Sequence, residues 1–254
     1  RWKSRIFEGL SGPAIAVIGD HLHGFQRIAD SALTHAKRIV VYGESTTAEV
    51  RLLESRPDVL SQSATLSVGG RIVELELPVA GKGMMRNALA ALAALYALGY
   101  DVEQCARRLS RYRSPEGRLV HGKVRINDAL VTLIDDSYNA EVASMIHAFE
   151  VLALHQVPSE ARRIAVLGRI VHLGEQAQAL HECLAEPLLA NGVDHVVTHG
   201  AEMCHLREKL PSTMLGPHFS SAPELVEHLT TTLSAGDVVL IKGSRRDSEA
   251  RGSA

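Results

Sequence analysis

Short apolar runs alternate with amphipathic stretches along most of this chain, and their order predicts its architecture. Ala14-Ile15-Ala16-Val17-Ile18-Gly19-Asp20 and Arg38-Ile39-Val40-Val41-Tyr42-Gly43 are rich in β-branched residues and of strand length. Residues 22–33 between them carry a helical period, so the three form a β-α-β unit with parallel strands and a right-handed crossover. Residues 64–68 and 71–77 instead alternate apolar with polar, and Gly69-Gly70 joins them as a hairpin turn. Gly81 and Gly83 lead into an Ala/Leu-rich helix over 84–98, ended by Gly99. A second helix, over 102–112, is polar on one side, and residues 1–10 read as the tail of a helix closed by Gly9.

Ser114-Pro115-Glu116-Gly117 is a turn-forming cluster and the best boundary, giving domains 1–113 and 114–254. After it the alternation is regular. Strands are predicted at 129–134, 163–168, 195–199, near His218-Phe219, and at 237–242. Helices are predicted from Val142 and over 175–190, 201–210 and 223–233. The fold class is α/β, with a doubly wound, Rossmann-like second domain.

In such a sheet ligands bind outside the carboxyl ends of the strands, and polar residues gather there. Asp135-Asp136-Ser137-Tyr138-Asn139 follows an apolar strand and precedes a helix, whose first N–H groups are available to an anion. These residues could merely cap that helix, but one cap needs one such side chain and here five polar groups are consecutive. Gly168-Arg169-Ile170-Val171-His172-Leu173-Gly174-Glu175 offers two glycines for backbone approach to a ligand and Glu175 as a cap; taken alone it reads as an ordinary loop. Lys242-Gly243-Ser244-Arg245-Arg246 suits a carboxylate or phosphate, or is a solvated basic loop. His199-Gly200 is the weakest cluster. With Arg118, Lys242 and Arg245 nearby, the ligand is expected to be anionic or amide-rich.

Composition narrows the classes. Hydrophobic residues make up 46% and charged residues 22%, enough for a sizeable core. A net charge of −2 gives no case for nucleic acid or an acidic membrane surface. Cys105, Cys183 and Cys204 lack metal spacing and read as reduced thiols of a cytoplasmic protein. No apolar run has transmembrane length, so no membrane insertion is expected. His21, His23 and His181 show no ligand spacing and read as surface or packing residues. No G-x-S-x-G elbow, Walker A sequence or G-x-G-x-x-G turn is present, so a lone ATPase or a generic dinucleotide binder is not supported.

Asp135-Asp136-Ser137-Tyr138-Asn139-Ala140 with Ser144-Met145 resembles the D-D-S-Y-N-A-N-P-x-S-M signature of the Mur ligase family, in its D-alanyl-D-alanine-adding branch. Lys3 to Leu10 is similar to K-x-x-I-F-x-G-L, and Asn87-Ala88-Leu89-Ala90-Ala91 to the helix after G-x-H-N. Gly117-Arg118 is similar to the domain-junction G-R, 166–175 to V-L-G-D-M-x-E-L-G-E, and Lys242 to Arg245 to K-G-S-R. The resemblance covers essentially the whole chain. It implies the end of the family's central ATP-binding domain followed by its C-terminal domain. The implied activity is ATP-dependent amide-bond formation through an acyl phosphate, joining D-Ala-D-Ala or a related amine to a UDP-muramoyl-peptide-like carboxylate, with ATP and Mg²⁺. It puts Lys3, if carbamylated, at the metal and Asn87 beside adenine. Arg118 and Asp136 fall at the nucleotide's phosphate and ribose, and Ser137, Tyr138 and Asn139 line a cleft. Lys242, Ser244 and Arg245 face the peptide or acceptor carboxylate, with Lys3, Arg118 and Lys242 as the catalytic cations.

The departures matter too. Gly81-Lys82-Gly83-Met84 stands where the family has G-x-H-N, Arg169 where it has Asp, His172 where it has Glu, and Glu141 where it has Asn. The chain opens on Arg1 with no initiator Met and no P-loop, which reads as a fragment or a trimmed chain. Two readings follow: the central-plus-C-terminal part of an amide ligase, or a divergent non-catalytic scaffold of the same family that works through a partner carrying the missing ATPase half.

Overall fold

A computed structural model describes residues 3–244. Contacts divide the chain into two compact units, Arg1–Arg113 and Ser114–Ala254. The first holds a five-stranded sheet in the order β1-β2-β3-β4-β5. β1 (Ile15–Gly19), β2 (Arg38–Gly43) and β3 (Val50–Pro57) run parallel, with α1 (Phe25–Leu33) crossing from β1 to β2 as expected. β4 (Gln62–Val68) and β5 (Arg71–Leu77) form the Gly69-Gly70 hairpin and pair antiparallel onto β3. α2 (Lys82–Ala97) buries Met85, Leu89 and Leu92, and α3 (Val102–Leu109) starts at Asp101, whose side chain accepts the Gln104 N–H. The expected N-terminal helix tail is a 3₁₀ helix, Lys3–Gly9.

The second unit is one six-stranded sheet, ordered β10-β9-β8-β11-β7-β6. β6 (Val120–Ile126) and β7 (Ala129–Asp136) make an antiparallel hairpin; β8 (Arg163–Gly168), β9 (His195–His199), β10 (Leu215–Phe219) and β11 (Val238–Lys242) all run parallel to β7. Helices cover both faces. On one, Ile134, Leu167, Val196 and Leu240 pack against Met145, Phe149 and Leu152 of α4 (Val142–Ala153) and against Leu184 and Leu188. On the other, Ile164, Val166, Val197 and Val239 meet Leu225 and Leu229 of α8 (Ala222–Thr232). This is the doubly wound arrangement that the alternation predicted.

Three expectations change. The helix expected over 201–210 shrinks to a 3₁₀ turn (Ala201–Met203) and α7 (Cys204–Arg207). The helix expected over 175–190 is broken into a 3₁₀ turn (Gly174–Gln176), α5 (Ala177–Glu182) and α6 (Ala185–Ala190). Pro187 has no N–H to carry a longer helical ladder through this region. Glu175 lies inside that 3₁₀ turn and does not cap it. His181 is fully buried, accepting the Ile170 N–H at Nε2 (3.1 Å) with Nδ1 2.7 Å from the Ala177 carbonyl. It is a satisfied core residue. Below the sheet, buried Asp237 accepts from the backbone N–H groups of Arg162 (2.8 Å) and Ser234 (2.9 Å) and from the Arg162 guanidinium (2.6 Å). That bracket joins the starts of β8 and β11 to the end of α8.

Candidate active site

Because β7, β8, β9 and β11 are parallel, their polar carboxyl ends meet on one edge of the second unit. Asp136 closes β7 and Lys242 closes β11, directly opposite in register. The Lys242 ammonium, 2% exposed, lies 2.6 Å from Asp136 Oδ2 and donates to the Asn139 carbonyl at 3.1 Å. A buried ammonium is tolerated only when paired, and here Asp136 and the Asn139 carbonyl pair it. The other oxygen of Asp136 accepts the Leu119 N–H at 3.2 Å. Burial lifts the Asp136 carboxyl above the ordinary carboxylate range, against the pull of Lys242 and Leu119.

The segment before β6 is clamped on the same loop. Tyr138 N–H donates to the Gly117 carbonyl at 2.9 Å, and a Cβ on Gly117 would lie 3.0 Å from the Tyr138 nitrogen. Gly117 has φ 72° and Leu119 φ 52°, so the chain turns sharply enough to bring Arg118 over the phenol. The Arg118 guanidinium carbon sits 4.1 Å from the Tyr138 ring centroid, on a ring that is 48% exposed. The result is an accessible cation on an aromatic face beside a half-hidden carboxylate.

The polar run does not cap α4. A reciprocal box of Glu141 and Ser144 closes that helix, and Asp135 instead accepts the Ser137 N–H at 3.1 Å. The free helix start expected for an anion is therefore occupied by an acid. The room at Gly168 is likewise filled by protein: a Cβ on Gly243 would lie 2.8 Å from the Gly168 Cα, so these glycines let β8 and β11 approach each other, not a ligand. Next to them Arg169 pairs with Glu202 at 2.7 Å, and Ser244 N–H donates to the Arg169 carbonyl at 3.3 Å. The clusters after β8, β9 and β11 are thus physically joined.

Arg118, Asp136, Tyr138, Asn139 and Lys242 come together directly. Ser137 lies in the same loop. Ser244 sits at the β8–β11 junction, its Oγ buried and without a hydrogen-bond partner among the described residues. Asn87 is an exposed residue of α2 in the first unit. Lys3 opens the 3₁₀ helix by its backbone; its side chain, like the whole of Arg245, lies outside the described residues. Sequence reasoning missed Leu119, which works through a backbone N–H, and Glu202, an ordinary polar residue until the fold brings it to Arg169. Among the described residues no three His, Cys, Asp or Glu side chains gather into a metal-binding set.

Residues 118–245 match the model of the Mur ligase, glutamate ligase domain, and residues 1–95 match the Mur ligase middle domain. The chain belongs to the Mur ligase family. It is similar to the UDP-N-acetylmuramoyl-tripeptide–D-alanyl-D-alanine ligase of Rickettsia prowazekii, 29% identical over 247 residues, spanning 96% of this chain and 53% of that protein. The enzyme of the same name from Escherichia coli is 28% identical over 249 residues, spanning 96% and 52%. A crystal structure of MurF from Acinetobacter baumannii superimposes with a TM-score of 0.80 at 26% identity, covering 96% of this chain and 51% of that one. The chain thus spans about half the length of the relatives it matches. The domains of a Mur ligase account for both sheets, and the Arg118–Tyr138 and Asp136–Lys242 contacts fall within the C-terminal match.

Proposed function

We propose that this chain is the middle-to-C-terminal part of an amide-forming Mur ligase that joins D-Ala-D-Ala, or a related amine, to a UDP-muramoyl-peptide-like carboxylate. The observation that carries the reading is the accessible Arg118 cation held over Tyr138 beside Asp136. An anion can reach the guanidinium, a planar group can use the ring, and a hydroxyl can donate to the carboxylate. Those are the chemical needs of a nucleotide's phosphate, base or ribose, so the residues fit ATP. When bound, ATP supplies the phosphoryl group that makes the peptide carboxylate a substrate for amine attack.

The chain's own residues bind and orient. Arg118 offsets phosphate charge, and Asp136 accepts from a ribose hydroxyl. Ser137, Tyr138 and Asn139 line the same loop. Lys242 acts from inside, as the tether that fixes Asp136 and the Asn139 backbone. By the resemblance, Ser244 and Arg245 are assigned to the peptide or acceptor carboxylate. In the first unit, the resemblance assigns Lys3 to the metal and Asn87 to the base. In the complete gene product, Asp136→Asn and Arg118→Ala should each lower ligation turnover about 100-fold. Product formation at the wild-type rate in both would sink the assignment.

A further inference from the structure

The start of β6 is fastened to the end of α4 by two imidazoles. His121 of β6 and His155, just past α4, stack with ring centroids 5.4 Å apart and planes 23° from parallel. His155 is 8% exposed, and the Nε2 atoms of both rings are buried without a hydrogen-bond partner among the described residues. No set of three metal-ligating side chains forms around them among those residues. The nucleotide-facing chemistry above does not use either ring.

As neutral rings the two make an apolar contact. One proton turns that contact into a buried cation next to a second ring and a guanidinium. Arg163, at the start of β8, donates from Nε to the His155 carbonyl at 3.0 Å and opposes a charge on that ring, as does His121. Against this, the Leu119 carbonyl favours a charge on His121. Asp194, the carboxylate beside Arg163, accepts the Arg163 N–H at 2.7 Å. Burial therefore holds both imidazoles below their usual range, His155 at about 4.

His121 pairs with Ile134 of β7 and stands two residues after Leu119, whose N–H holds Asp136. His121 is the one half-buried residue of the otherwise exposed stretch 120–125, so the stack is that stretch's packing contact. We propose that the His121–His155 stack is an acid-released latch, holding the start of β6 and the Gly117–Leu119 clamp on Asp136 against the end of α4. The latch does not depend on the ligase reading.

The sign follows from the lowered values. An opened ring binds protons with an ordinary imidazole value near 6.5, and the closed His155 ring only at about 4. The latch is at full strength above that ordinary value and weakens as pH falls toward the closed one. Each ring shifts the balance toward the open form by about tenfold per pH unit across its window.

Amide hydrogen exchange on the 254-residue chain, followed by NMR from pH 7.5 to 5 and corrected for intrinsic rates, tests this. Protection at residues 120–124 should fall about tenfold or more per pH unit below pH ~6.5, while β8 and β9 hold theirs. His155→Phe, which keeps an apolar ring, should flatten most of that dependence. Proton titration of the two wild-type rings provides a readout that needs no variant: both should titrate below the ordinary imidazole value, His155 at about 4. Ordinary titration of both rings, unchanged β6 protection, or parallel loss across all strands would overturn the latch. So would an unaltered pH dependence in a folded His155→Phe protein.

Discussion

Lys242 shows how a residue's surroundings decide its role. In sequence it heads a basic loop and invites a carboxylate. In the fold its ammonium is 2% exposed and held by Asp136 and the Asn139 carbonyl. Its partner stands 106 positions away, so no local pattern could reveal the burial. Removing one member of a buried pair leaves an uncompensated charge. Lys242→Met should therefore destabilise the second unit by about 3 kcal/mol, read as a lower urea midpoint. Arg118 is the opposite case: exposed, and joined to Tyr138 by a contact worth about 0.5–1 kcal/mol. Arg118→Ala should leave the urea midpoint nearly unchanged while turnover collapses. A large midpoint shift in Arg118→Ala would make it a structural residue instead.

Among the elements, strands buried on both faces were the most legible. β2, β8 and β9 have the bounds expected from their β-branched runs. β3 and β6 escaped notice because most of their residues are exposed and charges interrupt them, so no run of core residues marks them. The carboxyl-edge polar clusters were legible as places, but the steric reasons for their glycines were not. Gly243→Ala drives a methyl into the Gly168 backbone and should cost about 1–3 kcal/mol. Gly122→Ala, on β6 with nothing within 4 Å of the added carbon, should be tolerated and serves as the control. Equal unfolding midpoints for the two would contradict the close β8–β11 approach. At the opposite edge, Asp237→Ala strands the Arg162 and Ser234 N–H groups. It should cost about 3 kcal/mol, visible as a fall in thermal midpoint.

For the molecule as a whole, a net charge of −2 and an edge that gathers Arg118, Asp136, Tyr138 and Lys242 suit a small anionic ligand better than a polyanion. The chain carries both matched Mur ligase domains and spans about half of its relatives' length. Its ligand-edge departures, Arg169 paired to Glu202 and Glu141 closing α4, leave the sheet, the Gly117 clamp and the Asp136–Lys242 pair intact. Altered contacts on a preserved scaffold are compatible with retuned ligation, and equally with a relative that no longer ligates. The deciding measurement is phosphate release from ATP by the complete gene product, given UDP-muramoyl-tripeptide and D-Ala-D-Ala separately and together. The ligase account predicts release only when both are present, and its near-abolition by Arg118→Ala. Absence of release from folded protein with both substrates and Mg²⁺, or release indifferent to the amine, would contradict it.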